Sequence, residues 1–414
     1  MRILIYGLNF KPEKVGIGKY TGELADFLST LSNYQIKVIC APEYYPLMKT
    51  KKNKYSLDKN TKYPIYRCPI YLPQKLTGVK RLLHLFSFCI TSFPILISQL
   101  SFEPDLIIFI SPTMLCAINV LIFKILSKKK IFTLLHIQDF ELDAAFAIGI
   151  LKGKFLKNLF SKFEFLILKN FNFISTISPG MMKVLSIKGI DQKKIYYFPN
   201  WVDTTKIKQQ SVSKKNNNIY RKKLNISQGT VVIQYSGSMN KKQGFEFLVP
   251  IIKHFKFQKN ILWVFGGDGP TKKNLIASTK GINNIIFLPL QEEKDMNDWL
   301  NTGDIHIIPQ CENLDDFLFP SKLLGILSAG KPIISNVKLE SDLGKIIESV
   351  GLRVNPNDKK KFIDAINKLV DDEDYRLYLG KKARNFSLSK FSKRRVLERF
   401  SEFINKQVFM RVKE

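Results

Sequence analysis

The chain has 414 residues, with 65 Lys and Arg against 35 Asp and Glu, giving a formal charge of +30. This length favours two domains, and a 45% hydrophobic content is enough for a core in each. Five cysteines, without metal-ligand spacing, argue against a disulfide framework or a zinc site and favour a reducing compartment. The charge predicts attraction to an anionic partner. Alternatively, the charge reflects an AT-rich coding sequence, which would give this Lys-, Asn-, Ile- and Phe-rich composition.

Short apolar runs alternate with helical stretches in the first half, as is typical of an α/β domain with a parallel sheet. The apolar run at residues 3–6 is too short for a signal-peptide core, so we expect a cytoplasmic protein. Predicted strands occupy residues 2–6, 36–40, 105–110, 130–135, 173–176 and 194–198, and predicted helices occupy 18–32, 112–127 and part of 155–170.

Residues 82–100 form an almost wholly apolar stretch that follows Lys75, Lys80 and Arg81. Its length is near the threshold for a membrane-spanning helix. A helix buried in the domain, or one lying on a bilayer with the basic residues at its edge, is favoured over a spanning helix.

The alternation stops at residues 204–225, which are rich in Lys and Asn and predict a linker. It resumes with strands at 230–235, 260–265, 284–288, 304–308 and 332–335, and with helices at 244–255 and 320–329. We therefore expect an α/β protein with two Rossmann-like domains facing a central cleft, at residues 1–203 and 226–385. The tail, 386–414, belongs to a basic amphipathic helix pattern over 384–407 and is expected to pack back toward the first domain.

Two motifs in the first half follow predicted strands, where parallel sheets bind their ligands. Gly16 and Gly18 open a helix, whose free N–H groups suit an anion, or they form a plain glycine turn. His136 and Asp139 follow the strand that ends at residue 135. This pair suits hydrogen bonding to a sugar, while a structural histidine is the alternative.

Three motifs in the second half suit a phosphorylated ligand. Residues 236–244 combine a glycine turn with lysines before a helix, which suits a pyrophosphate or forms an exposed basic turn. Residues 266–270 hold three glycines in four positions, which suit close approach of a ligand or a structural turn. Pro320, Ser321 and Lys322 precede a helix and either contact phosphate or ribose or simply cap it.

Several other chemistries lack their motifs. The sequence has no P-loop lysine motif, no zinc-ligand spacing and no Gly-x-Ser-x-Gly elbow. No segment interleaves aromatic and basic residues well enough for nucleic-acid stacking, so nucleic acid is not an expected partner.

Taken together, the motifs resemble glycosyltransferase family 4, with the GT-B fold, over nearly the whole chain. Within that family, the sequence is most similar to colanic-acid and O-antigen transferases of the fucosyl or N-acetylfucosaminyl type. The resemblance is carried by residues 6–13, 16–23, 41–46, 136–139, 177–181, 199–203, 235–237, 242–244, 266–270 and 320–322.

The resemblance implies a retaining, metal-independent transferase without a cofactor, whose donor is a UDP- or GDP-linked sugar. It also implies a lipid-linked saccharide acceptor and work at the inner face of the cell membrane, on an anionic surface. Residues assigned to catalysis are His136 and Asp139. Residues assigned to substrate binding are Gly16, Gly18, Lys19, Gln138, Ser178 and Asn200. Residues assigned to the nucleotide are Gly237, Lys242, Gly244, Gly266, Gly267, Asp268, Gly269, Pro320, Ser321 and Lys322.

The sequence departs from the family pattern in two ways, and the missing glutamates favour an alternative without catalysis. Positions that hold two glutamates in many members are Phe317 and Gly325 here, and a common arginine is replaced by Ser238. A GT-B nucleotide-binding protein without catalytic activity is therefore one alternative. A nucleotide-sugar epimerase, which consumes donor without an acceptor, is the other.

Overall fold

A computed structural model describes residues 1–13, 16–44, 48–73, 78–112, 114–140, 153–211, 217–311 and 319–409. The chain divides into two compact units. The first comprises residues 1–200 together with the chain from residue 397 onward, and the second comprises residues 201–396.

The first unit is built on an eight-stranded sheet. Its strands are β1 (Arg2–Gly7), β2 (Gln35–Cys40), β3 (Ser56–Asp58), β4 (Ile65–Arg67), β5 (Leu106–Ile110), β6 (Phe132–Ile137), β7 (Phe173–Thr176) and β8 (Ile195–Tyr197). Their order is β3-β4-β2-β1-β5-β6-β7-β8, and every pair is parallel except β3 with β4. The central strands are buried on both faces, as their continuous apolar runs require.

In the described parts of the chain, five helices connect these strands: α1 (Gly16–Leu28), α2 (Gly78–Ser98), α3 (Met114–Leu126), α4 (Lys154–Asn170) and α5 (Pro179–Ile187). Local sequence explains where α5 begins. Pro179 occupies its first turn, and the Ser178 side chain accepts a hydrogen bond from the Met181 N–H. Ser178 therefore satisfies one of the unpaired N–H groups at the helix start.

The second unit has six parallel strands in the order β11-β10-β9-β12-β13-β14. They are β9 (Val231–Ser236), β10 (Ile261–Gly266), β11 (Ile285–Leu288), β12 (Ile305–Ile307), β13 (Ile333–Asn336) and β14 (Leu352–Val354). The helices described for it are α6 (Ile219–Lys223), α7 (Phe245–His254), α8 (Lys272–Ser278), α9 (Met296–Thr302), α10 (Lys322–Ser328), α11 (Asp342–Val350), α12 (Lys359–Asp371) and α13 (Glu373–Lys390). Helix α14 (Lys393–Ile404) begins in this unit and continues into the first. One apolar cluster lies on each face of this sheet.

The predicted linker is wrong over the described parts of residues 204–225. Helix α6 lies inside it, Tyr220 is buried, and the buried Arg221 side chain forms an ion pair with Asp304. The Asn218 side chain accepts hydrogen bonds from the first N–H groups of α6. These contacts tie the segment to the second unit, which already begins at Trp201 rather than after residue 225.

The predicted tail helix is interrupted. Residues 384–390 end α13, and α14 begins only at Lys393. Between them, Phe391 is buried and Ser392 forms an isolated parallel bridge with Val202, which breaks the helical pattern. From residue 397 the chain packs on the first unit, as expected, with the Phe400 ring stacked 4.0 Å from the Phe198 ring.

Candidate functional site

The carboxyl edge of the second sheet brings together two of the predicted loops. The loop after β9 lies against the loop after β10 through backbone hydrogen bonds. The Gly237 N–H donates to the Gly266 carbonyl at 2.9 Å, and the Met239 N–H donates to the Asp268 carbonyl at 2.7 Å. The predicted nucleotide-binding glycines therefore lie in two adjacent, mutually bonded loops.

Close backbone approach explains why these loops contain glycine. A Cβ atom on Gly267 would lie 1.9 Å from the Gly237 carbonyl oxygen, and one on Gly269 would lie 2.1 Å from the Met239 carbonyl oxygen. Both glycines also have φ near +149°, which residues with side chains rarely adopt. Contact between the loops therefore requires glycine at both positions, whether or not a ligand binds there. Asp268, between the two glycines, is exposed.

Lys322 places a cationic side chain beside this pair of loops. Its Nζ donates to the Tyr235 hydroxyl at 2.5 Å and to the Gln243 Oε1 at 3.0 Å, and it lies 4.0 Å from the centroid of the Tyr235 ring. Its Cε would be 3.2 Å from a Cβ on Gly237. Burial lowers the pKa of Lys322 to about 7. Its bonded partners are neutral, so an incoming anion would supply the missing countercharge.

Lys242 lies in the turn that leads from β9 into α7. The Asn240 side chain accepts a hydrogen bond from the Lys242 N–H, and Gly244 ends the turn with φ of +59°. Among the residues that the structure describes, the Lys242 ammonium group has no hydrogen-bond or ion-pair partner. Gln243, the next residue, accepts a hydrogen bond from Lys322, so the turn that contains Lys242 contacts Lys322.

Pro320, Ser321 and Lys322 lie at the start of helix α10, as predicted. The Ser321 side chain, however, does not cap the helix. Ser321 occupies the N-cap position without a side-chain hydrogen bond to the helix, and its side chain is exposed. The Pro320 carbonyl accepts the Leu323 N–H at 3.0 Å. Gly325, at one of the departures from the family pattern, faces α9, since an added Cβ would lie 2.9 Å from the Leu300 Cδ1. Phe317, at the other departure, lies outside the described residues.

Three supporting side chains were missed by the sequence analysis: Tyr235, Gln243 and Trp299. The Trp299 Nε1 donates to the Ser236 Oγ at 2.6 Å, and its ring closes over Gly266, where an added Cβ would lie 2.1 Å from the ring. Tyr235 and Gln243 flank glycine turns in the sequence, which was an available signal. Trp299 belongs to a distant helix, so no local pattern connects it to the site.

His136 is one of the buried polar residues predicted for the first unit. It belongs to β6 itself rather than to the loop that follows, which corrects the predicted end of the strand at residue 135. Its Nδ1 hydrogen-bonds the Ser175 Oγ at 2.9 Å on the neighbouring β7, so a bound ligand would meet Nε2. Burial lowers the pKa of His136 to about 3, and the imidazole is therefore neutral near pH 7.

Gln138 and Asn200 meet beyond the carboxyl ends of β6 and β8. Both side chains are buried, and the Asn200 Nδ2 donates to the Gln138 Oε1 over a long 3.4 Å. Asp139 is half-buried beside them in sequence. Ser178 has a structural task as the cap of α5, so its assignment to substrate binding has a competing explanation.

A carboxylate of the chain itself, that of Glu13, lies beside the glycines that begin α1. The Glu13 carboxylate is buried and accepts a hydrogen bond from the Asn9 Nδ2 at 3.0 Å. An added Cβ on Gly18 would lie 2.3 Å from the Glu13 Oε2. The negative charge predicted for this helix start is thus present in the chain itself, which favours a structural role for Gly18. Gly16 has φ of +65°, and Lys19 is half-buried.

One cavity of the second unit lies away from these loops. It has a volume of about 390 Å³ and is lined by Arg221, Lys222, Asn225, Ile226 and Gln228. Arg221 contacts the residues that precede β9 and β12, so this cavity is at the amino edge of the sheet. Ligands of open parallel sheets bind at the opposite edge, where the glycine loops and Lys322 are. Within the described ranges, no cluster of three metal-ligating side chains was found.

Sequence comparison identifies relatives of this chain. Residues 216–386 match the family described as glycosyl transferases group 1. The Escherichia coli protein WcaI, named as a colanic acid biosynthesis glycosyl transferase, is 34% identical over 357 residues, covering 84% of this chain and 86% of WcaI. The alpha-galactosylglucosyldiacylglycerol synthase of Streptococcus pneumoniae is 23% identical over 262 residues, covering 61% of this chain and 66% of that protein.

Solved structures with low sequence identity share the fold. Sucrose-phosphate synthase from Thermosynechococcus elongatus superposes with a TM-score of 0.74 at 14% identity, with 98% of each chain covered. HepE of Anabaena in complex with UDP gives a TM-score of 0.70 at 13% identity, covering 98% of this chain and all of HepE. With two parallel-sheet units, such neighbours and the extensive match to WcaI, the chain belongs to the group 1 glycosyl transferases of the GT-B fold.

Proposed function

We propose that the chain is a retaining, metal-independent family 4 glycosyltransferase of surface polysaccharide biosynthesis. It transfers a sugar, such as fucose or N-acetylfucosamine, from a UDP- or GDP-linked donor to a lipid-linked saccharide. The match to WcaI supports the polysaccharide pathway, and the UDP complex of HepE supports a nucleotide donor. The proposed enzyme is cytoplasmic and acts at the inner face of the cell membrane.

The observation that carries this proposal is the environment of Lys322. A half-buried ammonium group with neutral partners lies beside glycine loops at the ligand-binding edge of a Rossmann-like sheet. A nucleoside diphosphate has the complementary charge and needs close backbone approach. Lys242, in the adjacent turn, is the second cation for the diphosphate.

The proposed reaction places the developing charge at this site. An acceptor hydroxyl forms a bond to the anomeric carbon as the bond from that carbon to the diphosphate oxygen breaks. The hydroxyl proton passes to the departing phosphate or to solvent. Lys322 and Lys242 stabilise the leaving diphosphate, and the neutral His136 offers a hydrogen bond to the transferred sugar. We assign no general base, and Asp139 is the available candidate.

A donor screen tests the proposal. Purified protein is incubated with membrane lipid extract and a panel of UDP-, GDP- and dTDP-sugars, with and without EDTA, and nucleotide release is measured. Release from one donor that depends on the extract and survives EDTA is the expected result. The anomeric configuration of the isolated product tests retention.

Two other results would replace the proposal. Release of nucleotide without the extract would indicate the epimerase alternative or hydrolysis. Thermal stabilisation by a nucleotide without release from any donor, over a range of lipid-linked acceptors, would indicate a binding protein. The replacement of the family glutamates at Phe317 and Gly325 is the observation that favours this second candidate.

A further inference from the structure

Helix α2 has one face that the first unit covers and another that is exposed. His84, Phe88, Ser92 and Leu96 recur at every fourth position and are buried. The helix is held on the sheet by a 2.6 Å hydrogen bond between the Ser92 and Tyr6 side chains. Among the described helices it alone is long and apolar enough to cross a membrane by composition, but crossing would break this packing.

The second face of α2 is exposed. We call Leu82, Leu83, Phe86 and Ile90 the α2 stripe, because they recur at helical spacing along one side. Leu82 is 57% exposed, Phe86 48% and Ile90 56%. Contiguous exposed apolar side chains of this kind mark an interaction surface, whereas single ones do not.

A basic segment lies next to the α2 stripe. Residues 49–62 contain six lysines and one aspartate, which give a formal charge of +5. All six lysines are exposed: Lys49, Lys51, Lys52, Lys54, Lys59 and Lys62. The segment is fixed to the helix, since the Tyr55 hydroxyl donates to the Thr91 carbonyl at 3.0 Å, one residue beyond Ile90.

We propose that the α2 stripe and the basic segment form one surface that docks the first unit onto an anionic lipid bilayer, with α2 lying along the interface. Apolar side chains enter the acyl boundary while lysines contact the phosphate headgroups. Repulsion between two segments of charge +5 disfavours a second copy of this chain as the occupant. The inference locates the membrane contact of the proposed transferase. Only the biological role of this contact rests on the proposed function.

Vesicle flotation tests the surface. The intact protein is floated at low salt with phosphatidylcholine vesicles and with vesicles containing phosphatidylglycerol. We expect binding to the anionic vesicles, reduced about tenfold or more by the double variant F86S/I90S. The control F257S/L339S removes two exposed hydrophobic residues from the second unit and should bind like the wild type.

A second pair of variants tests the charge. Changing Lys51, Lys52 and Lys54 to Gln should reduce binding to anionic vesicles about tenfold or more at low salt, and this difference should shrink at high salt. Changing the exposed Lys359, Lys360 and Lys361 to Gln removes the same charge elsewhere and should have little effect.

Three results would overturn the proposal: no flotation of the wild type with anionic vesicles, unchanged binding of F86S/I90S, or equal losses in the controls. A wild-type dimer that F86S/I90S dissociates without loss of flotation would assign the stripe to a second copy. Nucleotide binding, followed by thermal shift, should be unchanged in every surface variant. Loss of nucleotide binding with flotation intact, as expected for K322M, would concern the transferase function alone.

Discussion

The two sheets present different chemistry at their carboxyl edges. In the second unit, backbone contacts between glycine loops surround a cation, Lys322, that lacks an anionic partner among the described residues. In the first unit, the His136 imidazole and the Gln138 and Asn200 amides are neutral, and the charged side chains that follow strands of this sheet include the carboxylates Glu13 and Asp139. A cation without an anionic partner suits a diphosphate, and imidazole and amide groups suit hydrogen bonding to a sugar.

A depressed histidine pKa does not by itself distinguish the two edges. Burial lowers the pKa of His306, in β12, to about 3, the same value as for His136. The His306 Nε2 bonds the Leu300 carbonyl inside the second unit. The proposal that His136 contacts a substrate therefore rests on the family resemblance and on the nearby Gln138, rather than on its pKa.

The largest effect is expected from a change in the contact between the two glycine loops of the second unit. Gly267→Ala places a Cβ on the Gly237 carbonyl oxygen in a strained backbone conformation, so we expect a loss of about 3 kcal/mol or more in unfolding free energy. Nucleotide binding should fall with it. Gly229→Ala, at a glycine with open space around its Cα, is the control. Denaturant unfolding of both variants measures the difference, and equal stability would show that the loops separate easily.

Removing the cation separates function from stability. Lys322→Met should lower turnover about 10²–10³-fold, because one stabilising group for the leaving diphosphate is lost. The melting temperature should stay unchanged or rise, since a desolvated ammonium group without an anionic partner is removed. Lys345→Met, at an exposed position on α11, should affect neither quantity. A full-rate Lys322→Met enzyme would exclude Lys322 from this role.

The pH dependence of nucleotide binding tests the role of the Lys322 charge separately. A diphosphate binds the protonated form of Lys322, whose pKa is about 7 in the free protein. Affinity should therefore fall as pH rises through 7 toward 9, by at most about tenfold per pH unit, as the protonated fraction of Lys322 decreases. Calorimetric titration with UDP or GDP measures this slope. Lys322→Arg, which stays charged, should flatten it, and an unchanged slope would assign the titration to another group.

The smallest effect is expected at His136, in the first unit. His136→Gln should lower turnover about tenfold, the value of one neutral hydrogen bond, and by the same factor from pH 5 to pH 9. The imidazole remains neutral throughout that range because its pKa is about 3. Pre-steady-state rates at saturating donor provide the measurement. A loss confined to low pH would require a charged imidazole and contradict the structure.

Long apolar runs made most of the fold predictable. The strands predicted near residues 2–6, 105–110 and 260–265 agree with β1, β5 and β10 within a residue or two at each end. Strands β3 and β4 have few apolar residues and were missed. The linker was mispredicted because a Lys- and Asn-rich composition conceals the buried Tyr220 and Arg221, whose partners lie far along the chain.

The site was predictable only in part. Glycine turns after strands predicted the two loops that contact each other after β9 and β10, because close backbone approach leaves a local signature in the sequence. The Trp299 contact with Gly266 and the Glu13 contact with Gly18 depend on tertiary packing. Spacing therefore identified which loops matter, but it did not show that several of their glycines serve the protein's own packing.

The return of the chain to the first unit affects the order in which that unit can be completed during synthesis. The aromatic rings of Tyr196 and Phe198 are covered by Phe403 and Phe400, which are translated some two hundred residues later. At typical elongation rates the delay is roughly 10–40 s. Through that interval the nascent first unit exposes an aromatic edge beside β8, an opportunity for chaperone binding or misassembly that ends only when α14 arrives.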